Sequence, residues 1–244
     1  MGLRRCALTT TDTTRSEVPL YTVSDAARIV AVPPSTLAAW AKGYVGRGIG
    51  RADVTGESLI TWRPRARAQD PSVPFVGLAE ALVLAALRRS GVTMQWIRPA
   101  LAHLQGEIGM EHALASRRLH TDGAELLLDY GQTQVKDEVV KHLVVVRSGR
   151  RVFADVVEDY LRRIEYGDDG YAALIRVPAY RHAEVVVDPT RSFGAPIFER
   201  GGARVEDALQ RFWAGQSLDE LVREFGVPAD QLEDVLRVAS RRAA

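Results

Sequence analysis

The chain has 244 residues, of which 46% are hydrophobic and 26% are charged, and its formal net charge is +1. This composition is that of a globular protein with a buried core, and it excludes a polybasic coat that would bind nucleic acid over the whole surface. The single cysteine, Cys6, excludes an internal disulfide framework and the paired spacings of a zinc site.

Residues 1–19 are rich in threonine and show neither a helical nor an alternating period, which predicts a mobile tail. The basic start of this segment lacks an apolar run of signal-peptide length. Elsewhere too, the sequence shows no apolar stretch long enough to cross a bilayer. We therefore expect a cytoplasmic protein that does not contact a membrane.

A helix, a turn and a second helix are predicted next. Thr22 or Ser24 is suited to cap the first helix, and Pro33 prevents its continuation. Ser35 is predicted to cap the second helix, which ends before Gly43. This order is that of a helix-turn-helix motif, which can place its second helix in the major groove of DNA.

The following segment predicts a wing, which is a small hairpin beside the helices. The β-capable residues Ser58–Trp62 lie among glycine, proline and basic residues. Apolar residues at helical spacing predict a third helix from Phe75 to Gly91, and a fourth from Thr93 to Leu104. We therefore expect residues 20–106 to form one winged helix-turn-helix unit.

The middle of the chain, residues 107–190, is predicted to hold a small mixed β region. Four runs are β-branched or alternating, at residues 125–130, 143–146, 173–177 and 184–187. A helix that begins at Phe153 or Asp155 and ends at Ile164 is predicted to interrupt them.

The last segment, residues 191–244, is predicted to be a helical unit. Its helical pattern runs from Val205 to Ser240 in three pieces, separated by Gly215 and by Gly226–Pro228. The last two pieces repeat the helix-turn-helix order, so a second, HTH-like motif is predicted here. The fold class is therefore predicted to be α+β.

Local charge distinguishes the two motifs. The segment from Trp40 to Arg67 contains six basic and two acidic residues, whereas the segment from Glu199 to Ala239 contains five arginines and nine acidic residues. DNA phosphates are attracted by the first segment and repelled by the second. For any one of the residues named next, the alternative to DNA binding is that it only caps a helix or is solvated at the surface. We assign DNA binding to Ser35, Thr36, Ala39, Lys42, Arg47, Arg51, Arg63, Arg65 and Arg67.

The acidic C-terminal unit is instead suited to dimerisation or to docking of another protein. Phe212 and Trp213 are its most informative residues. They either pack in the core of this unit or anchor it in a pocket of a partner.

Catalytic patterns are sparse. The five histidines lack metal-ligand spacing, and no phosphate-binding glycine loop or nucleophile elbow is recognisable. We therefore expect no cofactor, no metal and no enzymatic activity. A Mg²⁺-dependent nuclease is an alternative, since carboxylates bind hard cations, although surface ion pairs explain the same residues. Those residues are Asp155, Glu158, Asp159, Asp168 and Asp169.

Two parts of the chain resemble known families. The segment Tyr21–Trp40, together with Leu87–Arg98, resembles the winged helix-turn-helix of the MerR class. The segment Val187–Ile197, followed by Val205–Leu221, is similar to a small domain family found in antitoxins. Together they resemble a large VapB-type antitoxin, a class that is usually encoded beside PIN-domain ribonuclease toxins.

The resemblance implies an antitoxin that binds operator DNA, regulates its own operon and covers the acidic, metal-binding site of a PIN-domain toxin. The residues available for the toxin are Arg191, Arg200 and Arg204, together with Phe212 and Trp213. A homodimer is expected because dimers match palindromic operators. The alternative function is that of a MerR-like regulator whose central region binds a small effector.

Overall fold

The computed structural model describes residues 15–46, 54–67, 69–90, 94, 97–98, 101, 112–119 and 159–243. Its elements lie in an N-terminal part and a C-terminal part that share one core. That core is continuous from Tyr21 to Val235.

The described N-terminal part consists of three helices and two small antiparallel ribbons. The helices are α1 (Val23–Val30), α2 (Pro34–Lys42) and α3 (Phe75–Arg89). Strand β1 (Pro19–Tyr21) pairs with β4 (Val73–Pro74), and β2 (Tyr44–Gly46) pairs with β3 (Val54–Gly56). Helix α1 packs against both α2 and α3.

The described C-terminal part consists of one antiparallel sheet and three helices. The sheet contains β5 (Ile164–Tyr166), β6 (Ala172–Arg176), β7 (Val185–Val187) and β8 (Ile197–Phe198), in that order. The helices are α4 (Val205–Trp213), α5 (Leu218–Phe225) and α6 (Ala229–Ala243), and each packs against the other two. Because β8 pairs with β7, the sheet crosses the domain boundary predicted after residue 190.

Helix α3 organises the core. Every residue from Phe75 to Leu87 is buried, including Glu80. A helix that is apolar on all sides must be covered on all sides. Helix α1, the β1–β4 ribbon and strand β6 supply much of that cover, and β6 joins the N-terminal helices to the C-terminal sheet.

The α+β fold is confirmed, and so are most of its predicted elements. Helix α3, strands β6 and β7 and the three C-terminal helices lie where the sequence places them. Thr22 caps α1 as predicted, and its Oγ1 accepts a hydrogen bond from the Asp25 N–H. In α5, Ser217 and Glu220 form a reciprocal capping box.

The predicted cap of α2 is wrong. The N-cap residue is Pro33, Pro34 is the first helical residue, and Ser35 lies one position further on. No side chain caps this end. Proline is favoured at the first helical position because its ring fixes φ and its missing N–H would have had no helical acceptor. This preference determines where the helix begins.

The predicted position of the wing is also corrected. The hairpin of the structure is β2–β3, and Ser58–Trp62 follows it without belonging to a strand. The backbone of that segment has other partners. The Leu59 N–H donates to the Trp40 carbonyl over 2.8 Å, and the Thr61 N–H donates to the Glu80 carboxylate.

Residues 15–19 do not belong to a mobile tail. Arg15 is 6% exposed and donates to the Ala172 carbonyl over 3.1 Å. It also forms an ion pair with Asp169, and residues 19–21 form β1. The pattern of residues 1–19 misses these contacts because the partners of Arg15 lie more than 150 positions away.

Several predicted elements lie largely or wholly outside the described residues. They are the tail over 1–14, the fourth helix, the runs at 125–130 and 143–146, and the start of the central helix. The predicted end of that central helix is corrected, because residues 159–161 are helical but Ile164 begins β5.

Asp234 connects α6 to the turn before β7. It is 3% exposed and accepts hydrogen bonds from the backbone N–H groups of Arg181, His182 and Ala183, over 2.7, 2.8 and 3.1 Å. Burial opposes its ionisation, but these hydrogen bonds outweigh burial and hold the pKa of Asp234 below its ordinary value.

We predict that Asp234→Ala lowers the free energy of unfolding by about 3 kcal/mol, since one buried and two part-buried N–H groups lose a charged acceptor. Because the folded-state pKa is lowered, this stabilisation is present above the unfolded-state pKa of about 4 and is lost as the pH falls through the folded-state value. Urea unfolding at neutral and acidic pH measures both effects.

The matched control is Glu233→Ala, which removes an exposed carboxylate from the neighbouring position of the same helix. It is expected to change stability by less than about 0.5 kcal/mol. Equal losses for Asp234→Ala and Glu233→Ala would contradict the role of the buried carboxylate.

Candidate nucleic-acid and partner surfaces

The two helices of the N-terminal motif are joined by a tight turn. Ala31 has a φ of 55°, in the left-handed region, and its N–H donates to the Ala27 carbonyl at the end of α1. Leu37 and Trp40 are 0% and 3% exposed and hold one face of α2 against the core. The opposite face of α2 is thereby free to meet another molecule.

The predicted DNA-reading side chains are on that accessible face. Ser35 and Lys42 are exposed, and Thr36, Ala38 and Ala39 are half-buried. Hydroxyls and methyl groups can meet base edges, although they discriminate bases less strongly than a bidentate arginine or asparagine does. The face is suited to a groove but supplies little sequence discrimination by itself.

The β2–β3 hairpin begins one residue after the end of α2, and that residue is Gly43. Gly43 has a φ of 72°, and a Cβ built on it would lie 2.1 Å from the Gly56 carbonyl oxygen. Glycine is therefore required both for the conformation and for the close approach. Arg47 and Arg51 follow β2 in the sequence and lie outside the described residues.

The three arginines after the hairpin differ in their surroundings. Arg63 pairs with Glu17 over 2.7 Å and donates to the Ser16 carbonyl over 3.3 Å. Arg65 is half-buried and Arg67 is exposed. Glu17 precedes the segment from Trp40 to Arg67, so the net charge of that segment overstates what Arg63 offers to a phosphate.

Arg89 is a contact residue of the motif that the sequence analysis missed. Its guanidinium donates to the Ala31 carbonyl over 2.6 Å and lies 5.1 Å from the ring centre of Tyr160. Arg89 therefore connects the turn between α1 and α2 to the end of α3 and to the central region. Its position in the last turn of a helix gave only a weak signal.

The predicted partner residues lie on two neighbouring surfaces. Arg191 approaches Gly202, which places it beside the turn that carries the exposed Arg200. Arg204 pairs with Glu206 over 3.7 Å. The two arginines 191 and 200 thus share one exposed surface, whereas Arg204 is partly neutralised.

The two predicted aromatic anchors of α4 are not in the core. Trp213 is 61% exposed and Phe212 is 37% exposed. Of the two sequence-based alternatives, core packing therefore fails for Trp213. Two adjacent exposed aromatic side chains at the end of a helix are suited to contact with another protein.

Two acidic residues of the nuclease alternative make ordinary ion pairs, and Asp168 is exposed. Asp169 pairs with Arg15, and Asp159 lies 3.3 Å from Arg163. In the part of the chain that the structure describes, no cluster of three or more His, Cys, Asp or Glu could hold a metal ion. Asp155 and Glu158 lie outside that part.

No helix among the described residues has the length and apolar character needed to cross a membrane.

Comparison with known proteins identifies the family. Residues 19–101 match the family described as "Putative DNA-binding HTH domain". A Mycobacterium tuberculosis protein named "Putative antitoxin VapB45" is 46% identical over 226 residues, which cover 91% of this chain and 94% of that protein. The chain belongs to the VapB antitoxin family. The crystal structure of Rv2018 from Mycobacterium tuberculosis is also similar, with 41% identity, a TM-score of 0.77, and coverage of 91% of this chain and 99% of that one.

The two matches extend over different parts of the fold. The helix-turn-helix match ends at residue 101, so it contains α1, α2, the β2–β3 hairpin, α3 and all nine residues of the predicted DNA surface. The VapB relative covers nearly the whole chain. The C-terminal sheet and helices are therefore part of what this family shares, in addition to its DNA-binding domain.

We predict that Gly43→Ala destabilises the protein more than Gly226→Ala. Both glycines have positive φ, of 72° and 63°, but no atom lies within 4 Å of a Cβ built on Gly226. Gly226→Ala should cost about 1–2 kcal/mol from its conformation alone. Gly43→Ala should cost about 1–3 kcal/mol more, because its methyl group collides with the Gly56 backbone.

Thermal unfolding of the two variants beside the unchanged protein measures the difference. Equal losses would mean that the contact between Gly43 and Gly56 does not constrain the hairpin.

Proposed function

We propose that this VapB-family protein is an antitoxin that binds its operator through the N-terminal motif and neutralises a PIN-domain ribonuclease through the C-terminal part. The similarity to a VapB antitoxin along nearly the whole chain, combined with the DNA-binding domain match, carries the proposal. In this proposal residues 20–106 bind DNA, residues 191–244 bind the toxin and residues 107–190 connect them. A homodimer is part of the proposal.

The proposed DNA surface combines the free face of α2 with the basic residues of the hairpin and of the segment after it. Ser35, Thr36, Ala39 and Lys42 would enter the groove, since they are exposed or half-buried beside the anchored Leu37 and Trp40. The arginines Arg47, Arg51, Arg65 and Arg67 would bind phosphates. Arg63 would contribute less, because its contact with Glu17 would have to be exchanged for a phosphate.

The proposed toxin surface is the turn that carries Arg200, together with Arg191. A PIN-domain site is acidic and binds metal ions, so arginine side chains placed against its carboxylates would form charge-assisted pairs that exclude substrate RNA. Neutralisation of this kind is steric and electrostatic, and it requires no catalytic group on the antitoxin. Arg204 would join this surface only if it exchanged its contact with Glu206.

We predict that the double variant R65A/R67A lowers the salt dependence of operator binding. Each lost phosphate contact should reduce the slope of log K against log salt by about 0.9, giving a total change of about 2. Fluorescence anisotropy with DNA from upstream of the gene, at four salt concentrations, measures this slope.

The matched control is R223A, which removes an exposed arginine from α5 of the acidic C-terminal part. Its slope should equal that of the unchanged protein, and R63A should change the slope less than R67A does, because Arg63 pairs with Glu17. A slope unaffected by R65A/R67A but reduced by R223A would reverse the assignment of the two surfaces.

We predict that the charge-reversed variant R191E/R200E fails to neutralise the toxin while it still binds operator DNA. Co-expression with the PIN-domain protein encoded beside it, followed by co-purification and a growth assay, tests both parts. R223E is the control and should neutralise normally. If R191E/R200E also neutralises normally, these arginines do not contact the toxin, and if no PIN-domain protein co-purifies with the unchanged chain, the proposed partner is wrong.

A further inference from the structure

A large cleft lies between the N-terminal motif and the C-terminal helices. Its volume is about 880 Å³. Helix α1, strand β1, the segment around residues 192–196 and helix α4 supply its walls. Much of the lining is apolar, with contributions from Leu20, Ile29, Val177, Val205 and Leu209. A cleft of this size and character on a protein surface is suited to receive another molecule.

Two exposed aromatic side chains also line this cleft. Phe193 is 92% exposed and Trp213 is 61% exposed. The backbone at Ser192 and Phe193 has φ values of 47° and 54°, so two successive residues other than glycine adopt the left-handed region. Such a conformation costs free energy and persists where the surrounding fold imposes it. The turn therefore presents Phe193 to solvent in a fixed position.

The charges of the cleft cancel. Arg28 lies 3.1 Å from Asp25, and Arg204 lies 3.7 Å from Glu206. These two arginines and two carboxylates are the charged residues of the lining. A nucleic-acid backbone would therefore gain little electrostatic attraction here. The same holds for the acidic site of a PIN-domain toxin, because the lining carries no net positive charge. A second copy of the same surface would meet no net repulsion.

We infer that the cleft is the dimer contact, in which a second copy of this chain docks about a two-fold axis and places its Phe193 in the cleft. In such an isologous contact each copy contributes both the projecting ring and the receiving surface. This inference deepens the proposed homodimer and rests on it. It assigns the cleft to the second copy and leaves the surface of Arg191 and Arg200 to the toxin.

The area available is compatible with a stable dimer. An aromatic side chain buries about 150–250 Å² when it is fully covered. Because Phe193 is 92% exposed and Trp213 is 61% exposed, these side chains of both copies together supply roughly 450–750 Å². Specific interfaces bury about 1,200–2,000 Å² in total. The half-buried Leu20 and Leu209 and the exposed Gln210, which also line the cleft in each copy, would add to this area.

The contact would also place the two DNA-binding motifs relative to each other. Asp25, Arg28 and Ile29 belong to α1, the first helix of the motif, and they form part of the cleft. Because α1 packs directly against α2, a dimer joined at this cleft fixes the separation of the two α2 helices. A fixed separation is what an operator with two half-sites requires.

The test uses the full chain and the variants F193E and W213E. Sedimentation velocity over a range of protein concentrations gives the dimer dissociation constant. We expect the unchanged protein to be a dimer at micromolar concentration and each variant to raise the dissociation constant at least 100-fold. Because Phe193 and Trp213 are exposed, thermal unfolding of the variants should stay close to that of the unchanged protein.

The control is F212E, at the position next to Trp213 but outside the cleft lining. It should remain dimeric. F193A and W213A, which introduce no charge, should weaken the dimer less than the glutamate variants do, but in the same direction.

The outcomes separate the inference from the proposals on which it rests. A monomeric unchanged protein would overturn both the homodimer and its contact. A dimer that F193E and W213E do not weaken would overturn the cleft contact alone. Variants that stay dimeric but lose the PIN-domain toxin would assign the cleft to the toxin and also overturn the inference.

Discussion

The burial of helix α3 from Phe75 to Leu87 is the constraint on which the rest of this structure depends. A helix with no solvent-exposed face between Phe75 and Leu87 must be surrounded, and elements from both halves of the chain surround it. Its one buried carboxylate, Glu80, would be costly without partners. It accepts from the Thr61 N–H and lies 3.2 Å from His112 Nδ1. The segment after the hairpin is thereby fixed to α3, and with it the start of the arginine series.

This shared core places two surfaces of different charge on one packed body. The basic residues lie around α2 and the hairpin, whereas the C-terminal helices carry excess acid. Local interactions modify that division. Arg63 is neutralised by Glu17, and Arg211 pairs with Glu224 on the acidic side. A polyanion is therefore attracted mainly by the cations that have no nearby carboxylate. These are fewer than the basic residues in the sequence.

The sequence was sufficient for elements that are specified locally. Thr22 and Ser217 cap helices by contacts with residues three positions away, and the apolar period over residues 75–89 defines a helix without reference to the rest of the chain. It was insufficient where the partner is distant. The burial of Arg15 depends on Asp169 and Ala172, and the role of Arg89 depends on Tyr160. The candidate site was predictable as a motif and a charge pattern, but the cleft required the fold, since its walls come from both ends of the chain.

The turn at residues 192–194 explains how an aromatic ring can be both fully exposed and fixed. Gly194 has a φ of 74°, and a Cβ built there would lie 2.4 Å from the Tyr21 hydroxyl oxygen, so only glycine allows Tyr21 to approach this turn. Tyr21 is 3% exposed, and burial, together with the nearby Asp188 carboxylate, raises the pKa of its hydroxyl, which stays protonated. The buried Tyr21 side chain packs against the turn that contains the two left-handed residues before Gly194. Phe193 is thus positioned by the packing of its neighbours and not by contacts of its own ring. A side chain held in this way loses less conformational entropy on binding than a mobile one, which favours a role in recognition.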